Sequence, residues 1–305
     1  MRKKALMLIN PVSGVGKQKN IEKLVKAYID KDRIDIDLKY TEYAGHAKEL
    51  SRDAIGKYDI VVAVGGDGTV NEVGTSLIGS DTAMAIIPTG SGNGLARHLK
   101  IPMKPEKAVQ LLNRYKLKKI DTVRVNDLYS LNVAGVGFDA HISHMFAKMK
   151  QRGLISYVKL VTREFGTYEA SKYDLKIDGE SFSQKAFLVS FANSSQYGNN
   201  FYIAPDAKID DGYIDVCVMN KFPKIAAPVL LMSMMSKENI GGYLERVVKA
   251  KEVLIEYPGR LAGHIDGEPV WFGNKVSVKV NPLSLKVVVP RKQPGLIKLV
   301  KTVRP

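Results

Sequence analysis

Residues 61–72 read VVAVGGDGTVNE. A run of small and β-branched apolar residues ends in Gly65 and Gly66, then Asp67, then Gly68. An apolar run closed by glycines predicts a buried strand. Thr69 and Glu72 have the spacing of a capping box, which explains part of the motif by helix chemistry alone. A cap does not need three glycines. Gly65, Gly66 and Gly68 strip the turn of side chains, so backbone N–H groups can approach an anion at the positive end of the following helix. A carboxylate there is at odds with anion binding unless a cation or a hydroxyl proton sits beside the anion. Asp67 is therefore expected to hold Mg²⁺ through water or to polarise an attacking alcohol.

Outward from this stretch the first 120 residues alternate. Strand patterns fall at 5–9, 34–40, 59–64 and 83–87. Helical patterns lie between them. One has Ile21, Leu24, Val25, Tyr28 and Ile29 on a single face; others run over 46–55, 69–78 and 105–112. This order predicts a Rossmann-like open α/β domain over 1–120, with its ligand crevice beyond the carboxyl ends of the strands. Three glycine-rich segments follow directly after strands and so converge on one rim: NPVSGVGK (10–17), GGDGTVNE (65–72) and PTGSGNG (88–94). The first departs from G-x-x-x-x-G-K-[ST]. Gly14 and Gly16 let its backbone bend near an anion and Lys17 opens the next helix, but a plain strand-to-helix turn reads equally well. In the third, Ser91 and Asn93 offer hydrogen bonds, and Arg97 sits one turn into a helix, within reach of a phosphate.

After residue 121 strands follow one another with turns between, as in YDLKIDGESF and KAFLVSFANSS. That texture predicts an antiparallel β-sandwich over 121–290, with the nucleotide cleft between the domains. VSVKVNP and LSLKVVVP read as separate strands. Two helical insertions interrupt the pattern, one over 141–164 and one from the Met-rich 225–235 stretch to 249.

The totals bound the rest. The chain has 305 residues, enough for two domains. No stretch reaches the roughly 18 apolar residues of a membrane span. The basic start MRKKALMLIN reads as a first strand rather than a signal peptide. Cys217 is the single cysteine, so no intrachain disulfide forms, and a cytoplasmic home is the simplest. Lys plus Arg is 46 against 31 acids, a formal +15, which favours anionic partners. The tail RKQPGLIKLVKTVRP (291–305) carries five basic groups and no acid. It reads as a solvated end packing a few apolar residues; the alternative is a membrane-surface contact.

NPVSG, GGDGTVNEV and PTGSGNGLAR, in this order, resemble the catalytic domain of the diacylglycerol kinase and sphingosine kinase superfamily of lipid kinases. GGDGT is also shared by NAD kinases. APDAKIDDGYIDV and HIDGEPV extend the resemblance over nearly the whole chain. It implies that ATP and a lipid substrate meet between the domains, that Mg²⁺ is used, and that the tail 291–305 returns to the first domain. It implies ATP contacts from Asn10, Pro11, Val12, Ser13, Gly14, Thr41, Gly66, Asp67, Gly68, Thr69, Val70, Asn71, Glu72 and Ser91. Asp266 and Glu268 carry over as catalytic-site acids, with Glu268 as base and Asp67 as the second candidate. A structural Mg²⁺ maps to the Lys208 carbonyl, the Asp211 carboxylate and the Tyr213 carbonyl. Asp139 falls where sphingosine kinases place an acid near the lipid head group. The resemblance also brings a homodimer, as in bacterial relatives. Where many bacterial diacylglycerol kinases read TxNDFA, this chain has SGNGLA, with Gly94 in place of the aspartate. The sphingosine kinases read closer to it, so the lipid stays open.

Read without the family, IDGE and DDGY are good turn sequences, and Asp139 is placed to cap a helix. His141 and His144 share a helix face without a third ligand and read as surface or core histidines. The expectation is an ATP-dependent kinase acting on a lipid hydroxyl at an anionic membrane surface, with no nucleic-acid partner. An NAD kinase relative and a non-enzymatic anionic binder are the alternatives.

Overall fold

The structure is a computed structural model and describes residues 2–13, 20–149, 153–220, 222–223, 227–236 and 244–291. The first elements are β1 (Lys3–Ile9), α1 (Ile21–Tyr28), β2 (Ile34–Tyr40), α2 (His46–Ala54), β3 (Ile60–Gly65), α3 (Asp67–Ser76), β4 (Ala83–Pro88), α4 (Gly94–His98) and α5 (Pro105–Leu111). Next come β5 (Tyr115–Val125), β6 (Leu128–Ser130), β7 (Val133–Gly137), α6 (Phe138–Ala147), α7 (Leu154–Phe165), β8 (Ser171–Ile177), β9 (Glu180–Ala186), β10 (Leu188–Ala192), β11 (Gln196–Gly198) and β12 (Phe201–Tyr202). The last are β13 (Ile214–Met219), α8 (Ala227–Ser236), β14 (Leu244–Ala250), β15 (Glu252–Glu256), β16 (Leu261–Ile265), β17 (Glu268–Phe272) and β18 (Lys275–Pro290).

Strands β2, β1, β3 and β4 pair in parallel in that order. Every residue of β3 and β4 is buried. Strands covered by helices on both faces need this near-continuous apolar character, which the run at 61–64 displays. The one-face pattern of α1 holds at four of its five positions: Ile21 is buried, Leu24, Val25 and Ile29 pack on the same core, and Tyr28 is exposed.

The second half is a sandwich. One layer is the sheet β14-β13-β10-β7-β16-β17; the other comprises β18, β15, β8 and β9 with β5. Val136, Phe191 and Val216 from the first layer meet Leu175, Val253 and Val278 from the second in one buried cluster. Helix α6 lies on the outer face of the six-stranded layer, against β7, β16 and β17. A third apolar cluster forms there, including Phe138, Ile142, Phe187 and Leu230. Among the described residues no helix is long and apolar enough to cross a membrane.

The two halves share a sheet. Strand β18 runs for 16 residues and pairs antiparallel with β5 from Val278↔Val125 to Pro290↔Tyr115. Near its far end Val287 pairs parallel with Met84 of β4. VSVKVNP and LSLKVVVP are therefore one strand, not two. The ladder is interrupted between Asn281 and Leu285, where Leu283 takes φ +46°. Pro282 falls in that irregularity, where its missing N–H removes no ladder bond. Leu285, Val287, Val288 and Val289 are buried in the first core. The boundary expected at 120/121 thus lies inside β5, and the chain has already returned to the first domain by Leu285. Residues 292–305, which carry most of the expected returning tail, lie outside the described residues.

The helix expected over 141–164 is two helices. The first starts at Phe138, three residues early, and Gly153 with φ +145° precedes the second. Of the Met-rich stretch, Met234 packs on the third cluster while Met232 and Met235 are exposed. Cys217 is buried.

Candidate active site

The parallel sheet delivers its loops to one rim, and short contacts tie them together. Asn10 Nδ2, after β1, donates to Thr69 Oγ1 at 3.0 Å. The Ser13 and Thr89 hydroxyls, from the first and third loops, are 2.9 Å apart. A Cβ on Gly90 would stand 2.5 Å from Gly66 Cα, so the second and third loops touch backbone to backbone. No other residue permits that approach. The three bends are therefore one surface. Thr41 closes its edge, buried after β2, with its N–H on the Ile9 carbonyl. Pro11, Val12 and Ser91 lie on the exposed side of the same loops, and Val70 is buried behind them. Gly14, Gly16 and Lys17 lie outside the described residues.

The carboxylate between the glycines has a local reason. Asp67 Oδ2 accepts the Asn93 N–H and Oδ1 the Gly94 N–H, each at 2.8 Å. It braces the third loop where α4 begins. Burial pushes its pKa up to about 6 in spite of the two amide bonds that pull the other way, and the charge of Asp266 adds to the rise. The capping-box reading of Thr69 and Glu72 is corrected. Helix α3 starts at Asp67 with Gly66 as its cap residue, so Thr69 lies inside it. Its hydroxyl serves Asn10, while Glu72 Oε1 accepts the Gly45 N–H at 2.9 Å and ties α3 to the start of α2.

Arg97 does not point freely at the rim. Its Nε donates to the Gly92 carbonyl at 3.0 Å and stiffens the third loop from behind. Gly94 is explained by packing. A Cβ there would stand 2.4 Å from Asn132 Nδ2 and 2.6 Å from the Tyr197 carbonyl, so an aspartate has no room.

The sandwich supplies the opposite wall through the β16–β17 turn. Asp266 holds a left-handed conformation with φ +50°. Its carboxylate accepts four bonds: Asn71 Nδ2 at 2.8 Å, Ser130 Oγ at 2.5 Å, and the Leu131 and Asn132 N–H groups at 2.9 Å each. Asp266 thus pins α3 to the sandwich rather than standing ready for proton transfer. Glu268 is exposed, and its Oε1 lies 3.4 Å from where a Cβ of Gly68 would be. The first turn of α3 and this carboxylate face each other directly.

Asp139 departs from its expected role. Its side chain is only 8% exposed. Oδ2 accepts from Ser190 Oγ at 2.7 Å, His264 Nε2 at 3.0 Å and the Tyr197 hydroxyl at 3.1 Å, while Oδ1 takes the Ala140 N–H at 2.8 Å. Oδ2 is thus taken up within the fold, while Oδ1 holds a single amide bond. His264 Nδ1 faces the Gly267 N–H at 3.4 Å, so Asp139 reaches the turn carrying Glu268 through the imidazole. Sequence reasoning missed His264, Ser190 and Tyr197; His264 stands inside HIDGEPV and was the one signal available. His141 pairs with Glu164 at 2.9 Å, and His144 Nε2 lies 3.0 Å from the Val270 carbonyl, in keeping with structural roles.

The residues fit a nucleotide. The second and third loops are bare, α3 points its N-terminus at the rim, and buried Asn93 Oδ1 has no hydrogen-bond partner among the described residues. The fit for a structural Mg²⁺ at 208–213 is poor. Asp211 Oδ2 is 2.5 Å from Lys249 Nζ, and its Oδ1 takes the Tyr213 N–H at 3.2 Å. Asp215 Oδ2 lies 3.9 Å from the same ammonium. A positive charge already serves this loop, facing Asp206 as well as Asp211 and Asp215. Among the described residues, no group of three or more His, Cys, Asp or Glu side chains is placed to hold a metal ion.

Comparison with known proteins agrees with this geometry. The diacylglycerol kinase catalytic domain family matches residues 4–125. The YegS C-terminal NAD kinase beta sandwich-like domain family matches residues 132–289. The protein named "Probable lipid kinase YegS-like" from Alcanivorax borkumensis is 29% identical over 282 residues, 88% of this chain and 91% of that one. A protein named "Diacylglycerol kinase" from Staphylococcus saprophyticus is 27% identical over 283 residues, 90% of this chain and 91% of that one. A crystal structure of a diacylglycerol kinase from Bacillus anthracis superposes with TM-score 0.70 at 21% identity, covering 94% of this chain and 97% of the other. The paired domains, the three joined loops and the acidic turn across the cleft lead to one conclusion: this chain belongs to the lipid kinase family that joins a diacylglycerol kinase catalytic domain to a YegS-type β-sandwich.

Proposed function

We propose that the protein transfers the γ-phosphoryl group of ATP to the hydroxyl of a glycerolipid or sphingoid base at an anionic membrane surface. The observation that carries this reading is the placement of exposed Glu268 against Gly68 at the start of α3. A carboxylate on one domain opposes an anion-binding loop on the other.

Phosphoryl transfer asks the protein for position and charge more than for covalent help. Backbone N–H groups of the glycine loops and the N-terminus of α3 hold the phosphates. Asp67 keeps the third loop in register through its two amide bonds, and it is the residue that would help hold a nucleotide-borne magnesium ion. That ion would neutralise phosphate charge. Glu268 accepts the acceptor's proton as the hydroxyl oxygen bonds to phosphorus and the bond to the leaving ADP oxygen breaks. Asp266, Asp139 and His264 act as positioning residues that fix the turn on which Glu268 stands.

The deciding experiment offers labelled ATP with diacylglycerol, sphingosine and NAD in parallel. A labelled lipid supports the reading, and the identity of that lipid completes it. Label on NAD alone overturns it in favour of the soluble-substrate alternative.

A further inference from the structure

Between α6, the start of β16 and Tyr173 and Tyr257 at the border of the inter-layer cluster lies a hollow of about 340 Å³. Lys148 and Arg260 stand at it, as do His141 and His144, and no aspartate or glutamate lines it. Lys148 and Arg260 are exposed, and among the described residues neither pairs with a carboxylate. Glu164, which pairs with the lining His141, is held by it at 2.9 Å and by Arg163 at 2.8 Å. The walls are aromatic. Trp271 is 52% exposed, with the Arg260 guanidinium 4.6 Å from its ring centre. Tyr168, Tyr173 and Tyr257 complete the floor.

From these features we infer that the hollow seats the phosphate of an acidic phospholipid, and so fixes which face of the protein meets the bilayer. Unpaired cations beside a half-exposed indole suit a group that is anionic at one end and apolar at the other. A free inorganic anion would satisfy the cations and leave the aromatic walls in water. The formal +15 of the chain favours approach to an anionic leaflet. Placement agrees. Ala262, which pairs with Trp271, lies two residues before His264 on β16, about 7 Å at the strand rise. The Ala262–Trp271 wall of the hollow and the Asp139–His264 group therefore share one sheet face. The inference rests on the reading that the acceptor is a lipid, but its test uses neither nucleotide nor turnover, so the two fail separately.

Trp271 is the only tryptophan, so its emission reports on this site alone. The intact protein is titrated with phosphatidylcholine vesicles, with vesicles also containing phosphatidylglycerol, and with soluble glycerol phosphate and inorganic phosphate. The expected result is a saturable blue shift with the phosphatidylglycerol vesicles only. Binding by Lys148→Ala/Arg260→Ala should be about 30-fold weaker, at about 1 kcal/mol per surface cation. A circular-dichroism melt confirms that this variant is folded. An equal shift with either soluble phosphate, vesicle binding with unchanged Trp271 emission, or full affinity in the folded double variant would each overturn the inference.

Discussion

The glycine-loop rim and the β16–β17 turn face each other across the cleft and use their acids in opposite ways. The rim has one carboxylate at its centre, Asp67, and spends it on two backbone N–H groups of its own domain. The turn has two. Asp266 is saturated by four donors that bind the halves together, while Glu268 is left facing the rim. The number of donors around a carboxylate decides whether it serves as scaffold or as reagent. The motif letters treat all three acids alike, and only the fold separates them.

The contrast can be broken first at Glu268. Glu268→Gln should lower kcat by about 10²–10⁴-fold, the usual worth of a positioned base, with an unchanged melting temperature. A steady-state assay beside a thermal melt checks both, and ordinary kinetics would remove Glu268 from the chemistry. Asp266→Ala should do the reverse. It strands four donors and should cost about 3 kcal/mol or more of stability, read as a fall in the denaturation midpoint. If it melts like the parent, Asp266 is no scaffold.

Asp67 sharpens the comparison through pH. Its folded pKa of about 6 lies above the ordinary carboxylate value, so folding favours its protonated form. The stability it lends is full below the unfolded value and lost as pH rises through about 6. Acidifying from neutrality should therefore not weaken the fold through this group, yet it removes the charge that the proposed mechanism calls on. The expected pH–rate profile has an acid limb near 6 that Asp67→Asn abolishes. A limb unchanged in that variant would assign the titration elsewhere.

The smallest effect belongs to the 208–213 loop. Because Lys249 is partly exposed, Lys249→Met should cost no more than about 1 kcal/mol. It should also make the melting temperature respond to added magnesium more than the parent's does, since Asp211 is released. Equal responses would mean that the ammonium does not fill the place of a cation.

Much of this was legible in the sequence. The alternation before residue 120, the shift to strands after it and the three glycine segments gave the architecture and the rim, because burial on both faces and bare backbone leave compositional marks. What escaped depends on partners distant in the chain. The ties of Asp139 Oδ2 to Ser190, Tyr197 and His264 leave no mark in its motif. Thr69 and Glu72 match a cap by spacing, but the helix begins two residues sooner, at Asp67 with Gly66 as cap, and frees both side chains for other loops. Pro282 reads as a strand break, because sequence does not show that an irregularity in the ladder accommodates it.

The β5–β18 ladder also sets a timetable for synthesis. Tyr115 lines the edge of the first core, and its pairing partner is Pro290. A ribosome adding roughly 5–20 residues per second needs on the order of ten seconds or more to travel between them. During that interval the nascent nucleotide half has an open sheet edge beside β4 and lacks four buried side chains. That edge closes only when Leu285, Val287, Val288 and Val289 have been made and laid against β4.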